Sequence, residues 1–166
     1  MLWCKSRILL FSVCFTLLAT GCGYTIQGKA SLPFQTVKIG KIVNKTYELK
    51  LEDRMQRALT AELLKTGFTL GAEADYSIEG VLNVFELRVL SVKVSEASEY
   101  EVIVRGDFRL LEPSGKVRTL RSGGIFITSF ISTEENLNSI IAAKELATER
   151  ALRDFSSEIV ASILFQ

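Results

Sequence analysis

Between Thr36 and Asn44 apolar residues fall at Val37, Ile39, Ile42 and Val43, a pattern that predicts a short strand ending at Asn44. The period then changes. Leu51, Met55, Ala58, Leu59 and Leu63 recur three and four residues apart, which makes one face of a helix apolar, and Gly67 stands just past its end. Asn44 or Thr46 is the expected cap. Glu48, Glu52 and Asp53 in the first turns and Lys65 in the last complement the helix dipole.

From Tyr76 to Leu120 the pattern is that of long strands. Tyr76, Ile78, Leu82 and Val84 put the apolar side on even positions, Phe85, Leu87 and Val89 move it to odd ones, and Leu90, Val92 and Val94 return it. Since a one-residue slip exchanges the faces of a strand, either a bulge lies near Phe85 or both faces are covered there. Ser95 to Ser98 make a reversal. The next strand is the cleanest, with Tyr100, Val102, Val104, Phe108 and Leu110 on one face and Glu101, Arg105, Asp107 and Arg109 on the other. Pro113-Ser114-Gly115 forms a hairpin turn, and Val117 to Ile131 returns as a strand interrupted at Gly123-Gly124. Strands joined by such short turns run antiparallel.

The last third is helical again. Ser132-Thr133-Glu134-Glu135 fits a capping box, with Asn136 or Asn138 as later starts, and Leu137, Ile140, Ile141, Leu152, Phe155, Ile159 and Ile163 line one side. One helix of about 27 residues, ~40 Å long, is expected. Its middle stripe of Ala143, Ala147 and Ala151 allows a close approach to a sheet. The order of elements predicts an α+β two-layer sandwich, with two helices packed on one face of a mostly antiparallel sheet of about four strands.

The first 21 residues stand apart from this pattern. Lys5 and Arg7 precede an apolar run through Ile8–Phe11, Val13, Cys14, Phe15, Leu17 and Leu18 that is too short to cross a bilayer comfortably, so it reads as a signal peptide. Leu17-Leu18-Ala19-Thr20-Gly21-Cys22, followed by Gly23, resembles the lipobox of bacterial lipoproteins, although Ala19 stands where that motif prefers Leu. The resemblance implies cleavage after Gly21 and a covalent lipid, diacylglycerol plus an N-acyl chain, on Cys22. By the sorting rules of such proteins, Gly23 rather than Asp after the Cys implies the periplasmic face of the outer membrane. Residues 1–21 are then signal, 22–35 a lipidated tether, and 36–166 one domain. Several acyl chains hold a protein to a bilayer almost irreversibly.

Composition narrows the chemistry further. The precursor has 20 basic and 19 acidic residues; removing Lys5 and Arg7 leaves 18 basic, a balance without an electrostatic footprint for nucleic acid. Cys4 and Cys14 leave with the signal, so the mature chain has no cysteine pair and depends on packing. The chain has no His, which excludes Ser-His-Asp and Cys-His catalysis and any His metal ligand. Glu134-Glu135 serves a helix start, and no phosphate loop or nucleophile elbow occurs. No catalytic or metal-binding residue is assigned, and no cofactor beyond the lipid.

Cys22-Gly23-Tyr24 after the lipobox, Ala74-Asp75-Tyr76 opening one long strand, Ala97-Ser98-Glu99-Tyr100 opening another, and a long closing helix together resemble the LptE family. That resemblance implies an outer-membrane lipoprotein that plugs the LptD β-barrel and assists lipopolysaccharide assembly. It also implies that basic side chains near the loop before the Glu-Tyr strand hold lipopolysaccharide phosphates. Lys93 occupies the comparable place, with Arg88 and Arg105 near it. The surplus apolar positions from Phe85 to Val94 suggest a partner surface, and the charged face of the Glu101–Arg109 strand suits a polar barrel lumen. A different class is equally compatible with lipobox and α+β domain: a lipoprotein that activates or scaffolds another periplasmic envelope complex.

Overall fold

The computed structural model describes residues 34–91, 98–132 and 137–165. Strand β1 (Thr36–Asn44), helix α1 (Leu51–Lys65), strands β2 (Thr69–Leu70), β3 (Ser77–Ser91), β4 (Ser98–Leu111) and β5 (Val117–Ser132), and helix α2 (Leu137–Leu164) follow one another in that order. They form two helices on a five-stranded sheet of order β2-β1-β3-β4-β5. The α+β sandwich is as expected. The sheet is mixed, however: β1 lies parallel to both β2 and β3, while β3, β4 and β5 are antiparallel. The cause is α1, which carries the chain back to the starting end of β1, so that the strand after it must run the same way. The two-residue β2 has too few positions for any alternation to announce it.

The apolar sides of both helices meet the sheet in one core. Val37, Leu51, Met55, Leu59 and Leu63 close it on one side, Ile78, Leu82, Val102, Val104, Phe108 and Leu110 form its floor, and Leu152, Phe155, Ile159 and Ile163 come down from α2. Ala147 and Ala151 are buried, as the small-residue stripe predicts. Two glycines set the depth of the contact. A Cβ on Gly80 would overlap the ring of Phe108 on the neighbouring strand, and one on Gly106 would lie 2.7 Å from the Val81 carbonyl and 3.3 Å from Phe155. The missing side chains let Phe108 lie flat across β3 and let Phe155 meet it edge-on, with ring centroids 5.2 Å apart.

The faces of β3 exchange where the pattern indicated, through a bulge. Leu82 pairs with Gly106 and Val84 with Arg105, so Asn83 is the extra residue; a second shift between Val89 and Ser91 makes Leu90 another. β5 runs through Gly123-Gly124 as one strand, with register shifts where it pairs Gly106–Arg109.

The start of α1 differs from expectation. Its N-cap is Lys50, at φ 58°, without a side-chain cap. Asn44 instead organises the preceding loop: its Oδ1 accepts from the Thr46 N–H and hydroxyl, and its Nδ2 donates to the Glu48 carbonyl and to Glu52 at 2.8 Å each. The other end is as predicted. Gly67 adopts φ 86°, its N–H bonds Leu64 O, and Phe68 N–H bonds Leu63 O, which closes the helix in a Schellman motif. The Glu112–Lys116 hairpin turns on Gly115 at φ 81°. Of the expected α2 capping box Ser132-Thr133-Glu134-Glu135, Ser132 ends β5 and the other three lie outside the described residues, as does Asn136.

Candidate functional site on the open face of the sheet

The helices cover one face of the sheet and leave the other to carry what the fold does not need internally. Alternation along β4 sends Glu101, Ile103, Arg105, Asp107 and Arg109 to that open face, and the register sets Arg88, Glu86, Val84, Val81 and Glu79 of β3 beside them in turn. Cross-strand pairs lace it together. Arg109 donates from Nε and Nη2 to Glu79 Oε2 at 3.2 and 2.9 Å, Asn83 donates to Asp107 at 2.6 Å, and Arg88 lies 3.6 Å from Glu101 across the strands and 3.1 Å from Glu86 on its own strand. A shallow depression of about 410 Å³ opens here, lined by Lys41, Val43, Glu79, Val81, Arg109 and Thr119.

This face is mixed rather than purely charged. Ile103 sits at its centre only 4% exposed, with Glu86 opposite and Glu101 and Arg105 two residues away. The alternation of charged residues along β4 concealed it in the sequence. The eight charges Lys41, Glu79, Glu86, Arg88, Glu101, Arg105, Asp107 and Arg109 sum to zero, so attraction for an anion is local.

Of the residues singled out for lipopolysaccharide, Arg88 and Arg105 stand on this one face, four strand positions apart by register, or ~13 Å. They differ in readiness. Arg88 is exposed and already flanked by two carboxylates, whereas the half-buried Arg105 keeps a buried Nε with no hydrogen-bond partner among the described residues. An unpaired buried donor is costly and is satisfied by an anion or water. Arg105 therefore has the stronger chemical case. Lys93, Gly21, Cys22 and Gly23 lie outside the described residues. Among the described residues no cluster of three or more His, Cys, Asp or Glu is placed to hold a metal.

The helix side holds a feature the sequence reading missed. Arg54, on the apolar stripe of α1, is buried and lies 2.8 Å from Glu145 and 3.0 Å from Glu149 of α2, and 3.8 Å from Glu48, which Lys144 also binds at 2.9 Å. A cation three residues after Leu51 and one before Met55 was the available signal: it falls where a helix of this period faces its neighbour. Beyond the cluster, Leu87, Val89 and Leu90 at the far end of β3 remain exposed, part of the surplus apolar surface expected between Phe85 and Val94, whereas Leu137 and Ile141, expected on the packed side of α2, are exposed because the core reaches the helix only from Ala147 onward.

A family model described as lipopolysaccharide-assembly, LptE, matches residues 34–164. The chain belongs to the LptE family. The match begins at Phe34, where the described fold begins too: Phe34 is buried and stacks on Tyr76 at 3.8 Å between ring centroids. Among solved structures, a Xanthomonas campestris protein has a TM-score of 0.55 at 15% identity, with 82% of this chain and 89% of that one covered. The minor lipoprotein of Acinetobacter baumannii gives 0.51 at 10% identity, over 80% and 92%. The rare lipoprotein B of Shewanella oneidensis gives 0.48 at 10%, over 76% and 92%. At these identities the first two share the fold. No curated protein matches the chain in sequence. LptE is a lipopolysaccharide-assembly family without an enzymatic role, and the α+β sandwich with its laced open face is this chain's version of it.

Proposed function

We propose that this LptE-family chain is a lipoprotein of the outer membrane, anchored through lipid on Cys22, that plugs an LptD-like β-barrel and assists lipopolysaccharide insertion. The observation that carries this reading is the family match across the whole described fold, from Phe34 to Leu164. Two features support it. The open face offers paired charges around a small apolar centre, a surface suited to a polar lumen and needing little desolvation of lone ions. Eleven residues, Gly23 to Pro33, separate Cys22 from Phe34, and an extended chain over that interval spans ~40 Å, enough for a membrane-anchored domain to enter a barrel.

Extraction of the full chain in mild detergent is expected to bring down one large heat-modifiable β-barrel in a stable complex. Capture of a cell-wall enzyme in place of a barrel would instead make the chain an activator of another envelope complex and would overturn the reading.

Lipopolysaccharide is held, on this reading, by Lys93 together with Arg105 and Arg88. Lys93→Asp is expected to weaken binding of purified lipopolysaccharide about tenfold, the loss of one charge-assisted contact, with the circular dichroism spectrum unchanged. Unaltered binding by that variant would remove Lys93 from the site.

A further inference from the structure

The sheet ends in the two-residue β2 on one side and in the sixteen-residue β5 on the other. Along the outer edge of β5 no strand pairs among the described residues. An edge of that length is a template for another extended chain unless bulges, charges or proline blunt it. The two halves of β5 differ in this respect. Between Val117 and Gly124 its register with β4 shifts twice, and Arg118 and Arg121 fall in the same stretch. From Gly124 to Ser132 the register is unbroken, running from Gly106↔Gly124 to Ser98↔Ser132, and the segment holds no charge and no proline. Ile131, an aliphatic residue near the end of this edge, is 65% exposed.

The residue order says what fits there. Ile125-Phe126-Ile127-Thr128-Ser129-Phe130-Ile131 reads nearly the same in both directions. An antiparallel copy with Thr128 on a two-fold axis brings Ile125 opposite Ile131, Phe126 opposite Phe130, Ile127 opposite Ser129, and Thr128 opposite its own equivalent. Aromatic and Thr–Thr pairs are those that stabilise antiparallel neighbours. Equal parity across the axis also keeps both helix layers on one side of the joined sheet; a one-residue slip would turn the second sheet over. Self-complementarity about a two-fold axis is what a closed dimer requires.

We propose that the Gly124–Ser132 edge of β5 pairs antiparallel with the same segment of a second copy of this chain, joining two five-stranded sheets into one. This pairing belongs to the protein free of its barrel and does not depend on the lipopolysaccharide reading. Thr128→Cys tests it in the full chain purified in detergent. Mild oxidation is expected to give a covalent homodimer, because the two thiols face each other across the axis, while Val117→Cys, exposed in the bulged half, gives none. In parallel, Thr128→Lys is expected to shift the protein from dimer to monomer by sedimentation, with an unchanged circular dichroism spectrum. A wild-type chain that sediments as a monomer, equal cross-linking at 117 and 128, or a disulfide from 128 to another protein alone would each overturn the proposal.

Discussion

Phe155→Ala is expected to cost the fold about 3–5 kcal/mol, the range for truncating a fully buried aromatic, and to lower the melting temperature by roughly 10–20 °C. The side chain is fully buried, meets Phe108 edge-on at 5.2 Å, and fills the space that Gly106 leaves open on β4. Collapse around the cavity is restricted on each side. Phe108 is held by the surface of Gly80, and α2 is already close to the sheet through Ala147 and Ala151. Phe155→Leu, which keeps most of the volume but loses the edge-on contact, should cost less than half as much. Thermal denaturation of both variants by circular dichroism checks the ordering; an Ala variant within 1 kcal/mol of wild type would mean that α2 does not depend on this contact.

Phe155 also shows which parts of the fold were legible beforehand. Its place on a 3.6-residue stripe with Leu152, Ile159 and Ile163 could be read directly, because a helix that packs on one face repeats its apolar positions with its own period. The glycines that make room for the Phe108–Phe155 pair could not. Gly80 and Gly106 carry no pattern of their own, and their role exists only once β3 and β4 are in register. The bulge at Asn83 was legible as a change of parity, since covering one face forces such a change into the sequence. The parallel pairing of β1 was not, because alternation within a strand carries no information about the direction of its neighbour.

The candidate site follows the same division. Arg105 was legible on the charged face of its strand, and Arg88 was named only as a neighbour of Lys93 that the family resemblance implies, yet their pairing state depends on neighbours that register supplies: Glu101 across the strands and Glu86 two residues back reach Arg88, while none of the described residues reaches Arg105 Nε. The family resemblance carried the functional reading to Lys93, beyond what alternation alone supports. Ile103 was lost among charges because composition suggests an exposed face, whereas burial depends on what stands opposite.

Arg54→Met is expected to cost about 2 kcal/mol, less than the 3–5 kcal/mol typical of breaking a fully buried pair, because Glu145 and Glu149 are each about half exposed and water takes up part of their loss. Methionine retains most of the aliphatic packing of the arginine stem, so the change isolates the charge. What remains is a pair of carboxylates four residues apart on α2, repelling each other, with Glu48 still bound to Lys144 at 2.9 Å. If the uncompensated carboxylates are the source of the cost, adding Glu145→Gln and Glu149→Gln to Arg54→Met should restore most of the stability in urea denaturation. A triple variant no more stable than Arg54→Met would place the cost in lost hydrogen bonds, including the 3.3 Å bond from Arg54 to the Glu145 carbonyl. The effect has a functional side as well. Through Glu48 the cluster holds the loop that presents Tyr47 and Leu49, both highly exposed, and whose Lys45 N–H bonds the Leu82 carbonyl in the middle of β3. Loosening it should therefore raise hydrogen exchange in residues 45–50 as well as at the α1–α2 contact, joining the stability of the helix pair to the order of an exposed surface suited to a partner.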